Sequence, residues 1–180
     1  MLPIKKTRAA VLVESRKPLV IMDINLPKEL KSGQVLVRLI TSGICGAQIN
    51  EVDAVKGPDN FLPHLLGHEG LAEVLAISDI TSKVKVGDFV ILHWRPGSGI
   101  QSETPFYTSG NIEINAGWVT TFNEHAIVSE NRITKIEVNF NELLMPLLGC
   151  ALTTAWGVLE NEAKLLEGDN LLIFGSGGVG

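Results

Sequence analysis

The first 130 or so residues contain a series of short apolar segments rich in Val, Ile and Leu, separated by turn residues. The clearest segments are TRAAVLVES, GQVLVRLITSGIC, GLAEVLAIS, VGDFVILHW and GWVTTFNEHAIVS. Gly33, Gly87 and Gly117 punctuate the series, as turn glycines do. Many short strands with turns between them are typical of a β-barrel or a β-sandwich. One stretch, CGAQINEVDAVKG at residues 45–57, predicts a short helix instead.

The sequence changes character near residue 139. The stretch NFNELLMPLLGCALTTAWGVLENEAKLLEGDN loses the strand-like alternation and gains the spacing of helical apolar residues. Asn139 or Asn141 is a suitable N-cap for a short helix, because an Asn side chain can accept a hydrogen bond from the first turn. A second helix is predicted from about Gly149 to Ala163.

The last residues predict a strand followed by a glycine-rich turn. NLLIF at residues 170–174 has the composition of a buried strand, and GSGGVG follows it at residues 175–180. Glycines in this spacing after a strand usually open a dinucleotide-binding unit. We therefore predict a mainly β domain with helices at residues 1–139. Residues 140–180 are predicted to be connecting helices and the first strand and turn of an α/β domain.

Composition and charge argue against two classes of partner. The net charge is −5 and no run of Lys or Arg occurs, which disfavours a nucleic-acid-binding surface. The longest charge-free stretch, residues 143–159, is short for a membrane span and is interrupted by Pro146, Gly149 and Gly157. Two cysteines are too few for a small secreted disulfide scaffold, so a cytoplasmic protein is expected.

Four residues are the candidates for chemistry: Cys45, His68, Glu69 and Cys150. Each has an ordinary structural explanation when taken alone, because a buried cysteine or a hydrogen-bonded His-Glu pair is common. Taken together, two thiols and an imidazole are a suitable ligand set for a catalytic zinc, which uses three protein ligands and leaves a fourth position open. Each cysteine also has a glycine next to it, where the backbone can approach an ion closely.

Five motifs, in order and at about the expected spacing, resemble the zinc-containing medium-chain dehydrogenase/reductase family, the alcohol dehydrogenase superfamily. They are GICG at 43–46, LLGHEG at 65–70, VGDFVIL at 86–92, LLGCALTTAWGVL at 147–159 and GSGGVG at 175–180. The resemblance covers nearly the whole chain. It implies a GroES-like barrel followed by the start of a Rossmann domain.

The resemblance also implies a function and a set of site residues. Cys45, His68 and Cys150 match the catalytic zinc ligands, and Glu69 matches an acidic residue that lies beside the metal or moves in as a ligand. The implied protein is an NAD- or NADP-linked oxidoreductase that acts on a small alcohol or aldehyde, in which zinc serves as a Lewis acid. The cofactor-binding glycines are then Gly175, Gly177, Gly178 and Gly180, and the full-length protein is expected to be a homo-oligomer.

Two departures from the family pattern keep other functions open. Ala47 stands where the family commonly has a Ser or Thr that relays the substrate proton, and alanine has no hydroxyl. A member of this fold that has lost dehydrogenase chemistry is therefore one alternative. A metal-free interaction module is another, although such a module has no need for the three zinc-binding residues together.

The second departure lies in the long loop candidate, residues 93–116. It contains no cysteine, which excludes a structural Cys₄ zinc site in that loop. Trp94, Phe106 and Tyr107 are expected to pack this lobe, with Trp94 also a candidate for lining the substrate pocket. His93 is a candidate pocket donor, but a hydrogen-bonded structural histidine is the favoured interpretation.

The sequence ends directly after the glycine turn. Neither the helix that would follow this turn nor the residue that distinguishes NAD from NADP is present. We therefore expect this chain to be part of a longer dehydrogenase and to be inactive, without specific affinity for NAD or NADP, on its own.

Overall fold

In the computed structural model, which describes residues 2–137 and 141–180, ten strands fall into two groups of five. The strands are β1 Lys6–Leu12, β2 Val20–Asn25, β3 Gln34–Ser42, β4 His64–Leu65, β5 Gly70–Ile77, β6 Phe89–Leu92, β7 Phe106–Ser109, β8 Ile112–Asn115, β9 His125–Ser129 and β10 Ile133–Ile136. The helices of the described residues are α1 Gly46–Val52 and α2 Ala151–Gly157, with 3₁₀ turns at Glu130–Arg132 and Met145–Gly149 and a π-helical turn at Val158–Glu162. This confirms the mainly β fold and the short helix after Cys45.

The first group is a closed barrel in the order β1-β2-β7-β8-β4. Antiparallel pairs join β1 to both β2 and β4, and a parallel contact between β4 and β8 closes the ring. The second group is an antiparallel sheet in the order β10-β6-β5-β3-β9. The barrel is what the sequence predicted.

The strand β3 contributes to two apolar cores at once. Val35 and Val37 belong to the core of the second sheet, whereas Leu36 packs in the core that also contains Tyr107 and Ile127. Successive side chains of a strand point to opposite faces, so a strand that is buried on both faces needs a continuous apolar run. This explains why GQVLVR shows no alternation of polar and apolar residues.

The long loop candidate contains a hairpin that the sequence reading missed. Strands β7 and β8 lie inside residues 93–116 and complete the barrel. Tyr107 is fully buried as expected, and its hydroxyl accepts a hydrogen bond from the Ile127 N–H at 2.8 Å. Trp94 and Phe106 remain 47% and 48% exposed, so they do not share that packing role. Four-residue strands are too short to show a clear alternation.

The buried carboxylate of Glu130 joins the loop at residues 82–83 to the loop at residue 100. The Glu130 oxygens accept hydrogen bonds from the backbone N–H groups of Ser82 at 2.9 Å, Lys83 at 3.0 Å and Ile100 at 2.8 Å. Burial disfavours the ionised form, but these three donors and the charge of Lys83 together lower the pKa of Glu130. Glu130 is thus held as a carboxylate.

The C-terminal segment is helical where predicted but does not form the predicted strand. The predicted N-cap role of Asn141 is wrong, because Leu144 is the N-cap of the 3₁₀ turn; the Asn141 Oδ1 instead accepts from the Leu143 N–H at 2.9 Å in the turn that precedes it. Asn139 lies outside the described residues. The second helix begins at Ala151 and ends in the π-helical turn.

Residues 170–174, predicted as a buried strand, are exposed and pair with no strand among the described residues. An apolar sequence becomes a strand only where a neighbour satisfies its backbone groups. The boundary at residue 139 stays a prediction. Among the described residues, no helix has the length and apolarity to cross a membrane.

Candidate metal centre

Three separate segments of the chain place Cys45, His68 and Cys150 close together. Cys45 is the N-cap of α1, His68 lies between β4 and β5, and Cys150 lies between a 3₁₀ turn and α2. One donor atom from each residue lies within 4.8 Å of the other two, and the two sulfur atoms are 3.8 Å apart. The structure thus brings together the three residues that the resemblance implied as zinc ligands.

Two glycines allow the backbone to close around this site. A Cβ at Gly149 would collide with the carbonyl oxygen of Leu92 and lie 2.8 Å from the Cα of Glu69. A Cβ at Gly43 would lie 2.7 Å from the Cδ of Glu69. Since real side chains do not tolerate such contacts, glycine at these positions lets the segments carrying Cys45 and Cys150 pack against Glu69.

The arrangement fits a tetrahedral zinc ion. Two sulfurs bound to one tetrahedral zinc at about 2.3 Å each lie about 3.8 Å apart, which matches the spacing of the two free thiols. The Nε2 of His68 is buried and has no hydrogen-bond partner within the part of the chain that the structure describes. A buried polar atom normally has a partner, and a metal ion would provide one. The set of two sulfurs and one imidazole is a known catalytic zinc set.

The surroundings of the site favour neutral side chains in the absence of a cation. Burial, reinforced by the neighbouring Cys45 thiol and by Glu69, raises the pKa of Cys150 to about 11. Burial also lowers the pKa of His68. A divalent cation reverses the preference of the thiols, because it stabilises thiolates.

Glu69 lies beside the three converging residues and does not belong to their group. Its side chain is fully buried, and its Oε2 accepts a hydrogen bond from the Ala151 N–H at 3.3 Å. Burial raises the pKa of Glu69, and the Ala151 N–H partly offsets this effect. Its role as an occasional metal ligand stays a prediction.

Gln48 makes a contact with His68 that the sequence reading missed. Its Oε1 accepts a hydrogen bond from the Cys45 N–H at 3.0 Å, and its Nε2 lies 2.6 Å from the Nδ1 of His68. The sequence analysis assigned no role to Gln48. The available signal was its position three residues after the N-cap, where a Gln side chain often folds back onto the cap.

A cavity of about 480 Å³ lies next to His68 and Gln48. Polar side chains in its wall include Glu51 and His64, and Phe61 and Trp118 add aromatic surface. The ring of His64 is held in place, because its Nε2 lies 2.7 Å from Asp59 Oδ2 and its Nδ1 donates to the Leu65 carbonyl at 3.0 Å.

Neither of the two residues predicted for the substrate pocket lines this cavity. Ala47 lines a separate cavity of about 430 Å³, together with Asn50 and Glu51. Trp94 lines neither cavity, and the guanidinium of Arg95 is 5.5 Å from its ring centroid. Their pocket roles stay predictions.

Two further predictions concern His93 and the glycine turn, and the structure confirms the first. His93 is hydrogen-bonded at both ring nitrogens, through the Arg95 carbonyl at 2.7 Å and the Thr134 hydroxyl at 3.1 Å, as expected of a structural histidine. The glycine turn is exposed, with Gly175 at a φ of +88°. The cofactor-binding role of Gly175, Gly177, Gly178 and Gly180 stays a prediction.

Comparison with known proteins supports the family that the sequence motifs resemble. A family model, the alcohol dehydrogenase GroES-like domain, matches residues 31–138. The chain is 30% identical to S-(hydroxymethyl)glutathione dehydrogenase of Photobacterium damsela subsp. piscicida, over 97% of this chain and 54% of the relative. The corresponding enzyme of a Synechocystis species shows the same identity and coverage. The chain therefore spans about half the length of the curated relatives it matches.

Solved structures share the fold. An alcohol dehydrogenase zinc-binding domain protein from Burkholderia ambifaria aligns with a TM-score of 0.76 at 21% identity, over 88% of this chain and 49% of that one. Benzyl alcohol dehydrogenase from Acinetobacter calcoaceticus aligns with a TM-score of 0.72 at 23% identity, over 88% and 48%.

Proposed function

This chain belongs to the zinc-containing medium-chain dehydrogenase/reductase family, through its alcohol dehydrogenase GroES-like domain, and on that basis we propose that it is the metal-binding part of an NAD- or NADP-linked oxidoreductase acting on an alcohol or aldehyde. The observation that carries the proposal is the convergence of Cys45, His68 and Cys150 on one point, with the His68 Nε2 buried and unpartnered among the described residues. Dehydrogenase activity, cofactor and substrate are proposed for the complete protein, because this chain spans about half of its relatives.

In this proposal Cys45, His68 and Cys150 hold one zinc ion, and Glu69 lies beside it. When bound, zinc supplies a Lewis acid that polarises the alcohol or carbonyl oxygen, and a nicotinamide supplies the hydride chemistry. The protein contributes the position of the three ligands and the exclusion of water around the buried Glu69. The four glycines of the final turn would approach the pyrophosphate of the cofactor once the rest of a Rossmann domain is present.

A specific observation supports the second candidate, a zinc protein without dehydrogenase chemistry. Ala47 is exposed in a cavity wall with Asn50 and has no group that can accept the substrate proton. The two candidates share the zinc site and differ only in activity. Alcohol-dependent reduction of NAD or NADP by the complete protein would separate them.

The zinc site is tested on this chain directly. Elemental analysis of protein purified in reduced form without chelator should give about one zinc per chain, since three protein ligands form an open site. Cys45→Ser and His68→Gln should each lose it, whereas His125→Gln, a histidine away from the site, should retain it. Reduced wild type that takes up no zinc, or ligand variants that bind it as well as wild type, would refute the proposal.

A further inference from the structure

We infer that Gln48 holds His68 in the tautomer that cannot bind a metal. Zinc binding then requires the side-chain amide of Gln48 to rotate, so that Oε1 and Nε2 exchange places. The inference rests on the proposed function in one respect, because it takes His68 as a zinc ligand. It adds a residue that positions this ligand and limits the affinity of the site.

The orientation of the Gln48 amide follows from its two neighbours. The backbone N–H of Cys45 can only donate, and it lies 3.0 Å from Oε1, which accepts. The NH₂ group of Gln48 must therefore face His68, where Nε2 lies 2.6 Å from Nδ1. An amide NH₂ is a donor only, so the Nδ1 of His68 has to accept and carries no proton.

This arrangement determines where the imidazole proton lies. A neutral imidazole has one N–H, and with Nδ1 accepting, the proton is on Nε2. Nε2 is also the ring nitrogen that is left for a metal, because Gln48 occupies the other one. A metal ion binds a nitrogen without a proton, so the contact with Gln48 favours the tautomer that the metal cannot use.

A metal-binding histidine usually makes the opposite hydrogen bond to the one that Gln48 makes with the Nδ1 of His68. Their second ring nitrogen donates its proton to a carboxylate or a carbonyl, which leaves the first nitrogen free for the metal. Gln48 can provide such an acceptor only if its amide turns by half a rotation. Its NH₂ group would then face the Cys45 N–H, with two donors in contact, and the Cys45 N–H would lose its acceptor.

A plain structural role for Gln48 also exists and must be separated from this one. Its contact with the Cys45 N–H is the half of a capping box in which the N3 side chain reaches back to the N-cap. Glutamate serves that position as well as glutamine does. Gln48→Glu therefore keeps the cap, and it replaces only the group that faces Nδ1, from a donor to an acceptor.

The direct test is the tautomer of His68 in metal-free, reduced protein labelled with ¹⁵N-histidine, measured by long-range ¹⁵N–¹H correlation at a pH where the ring is neutral. We expect the proton on Nε2 in wild type and on Nδ1 in Gln48→Glu. The wild-type measurement needs no variant, so it decides the inference even if a variant folds poorly. A proton on Nδ1 in wild type would overturn it.

The second test is zinc affinity, measured by competition between the protein and a chromophoric chelator for Zn²⁺. We expect Gln48→Glu to bind about 10–100-fold more tightly than wild type, the range usually associated with such supporting contacts. Asn50→Asp is the matched control, because it adds the same charge on the exposed side of α1. Equal affinity of Gln48→Glu and wild type, or an equal gain from Asn50→Asp, would refute the inference.

The outcome also distinguishes this inference from the proposed function. If neither wild type nor Gln48→Glu binds zinc, the proposed function fails, while the tautomer measurement still decides the role of Gln48. If wild type binds zinc and its metal-free form has the proton on Nδ1, only the inference fails.

Discussion

The sulfur atoms of Cys45 and Cys150 lie 3.8 Å apart, although the two residues are 105 positions apart in the chain. This spacing suits two ligands of one tetrahedral zinc. A modest movement of the two side chains would also bring the sulfur atoms to the roughly 2.05 Å separation of a disulfide bond. The same pair of thiols therefore has two mutually exclusive products, and conditions decide which one forms.

We predict that mild oxidation of the metal-free chain with diamide joins Cys45 to Cys150 and abolishes zinc binding. Zinc loaded beforehand should protect the pair, because bound thiolates are not free to attack. Thiol counting under denaturing conditions, followed by zinc competition, measures both effects. Cys45→Ser is the control, since it cannot form the intrachain bond. Oxidised protein that keeps both thiols, or zinc-loaded protein that loses them equally fast, would contradict the prediction.

Gly149→Ala should destabilise the fold and weaken zinc binding. The new methyl group would meet the Leu92 carbonyl and the Glu69 backbone, neither of which can move aside alone. Overpacking of this kind costs roughly 1–3 kcal/mol in the free energy of unfolding. Because Gly149 directly precedes Cys150, the same shift should displace its thiol. Urea denaturation and chelator competition check the two effects.

The matched control for that variant is Gly157→Ala. Gly157 is a helical glycine whose added Cβ would meet only the Asn161 amide nitrogen, at an ordinary 3.7 Å. Alanine at a free helical position stabilises by up to about 1 kcal/mol relative to glycine. Equal losses in the two variants would mean that loss of glycine flexibility, and not the close approach to Glu69, explains the Gly149 result.

The convergence of Cys45, His68 and Cys150 could be predicted from the sequence because the motifs around them resemble those of one family. Taken residue by residue the signal is weak, and only the combined donor types match one metal. The contact of Gln48 with His68 could not be predicted in the same way. It depends on the side-chain geometry at the start of α1, and a polar residue near a candidate site does not indicate which of its atoms faces which neighbour.

The fold was predictable where a strand is long and apolar, as in β3 and β5, and was missed where strands are short. The hairpin of β7 and β8 exists because it completes the barrel, which is a property of the whole sheet and not of four residues. The opposite error occurred at residues 170–174. Their composition suits a buried strand, but no strand among the described residues pairs with them.

The 180-residue chain alone should show no saturable binding of NADH in the micromolar range. Residues 170–180 are exposed, and among the described residues no parallel sheet lies behind the glycine turn and no helix N-terminus faces the place of the pyrophosphate. Ordering such a segment around a ligand costs conformational entropy that a few backbone N–H contacts do not offset. Calorimetric titration with NADH measures this. A dissociation constant in the low micromolar range would contradict it.

Glu130→Gln should destabilise the protein and reduce its sensitivity to acid. The amide NH₂ would face one of the three backbone N–H donors that now share the carboxylate, and an unsatisfied buried donor costs about 1–3 kcal/mol. Because the folded pKa of Glu130 lies below its ordinary value of 4.5, its contribution to stability is complete above pH 4.5 and is lost as the pH falls through the folded pKa. The difference in unfolding free energy between wild type and Glu130→Gln should therefore be largest near neutral pH and shrink below pH 4.5.

Glu103→Gln is the matched control, since Glu103 is exposed and its ion pair with Lys31 is a surface contact that should change stability little at any pH. Urea denaturation of the three proteins across this pH range measures the effect, and a constant difference between wild type and Glu130→Gln would show that the carboxylate charge does not contribute.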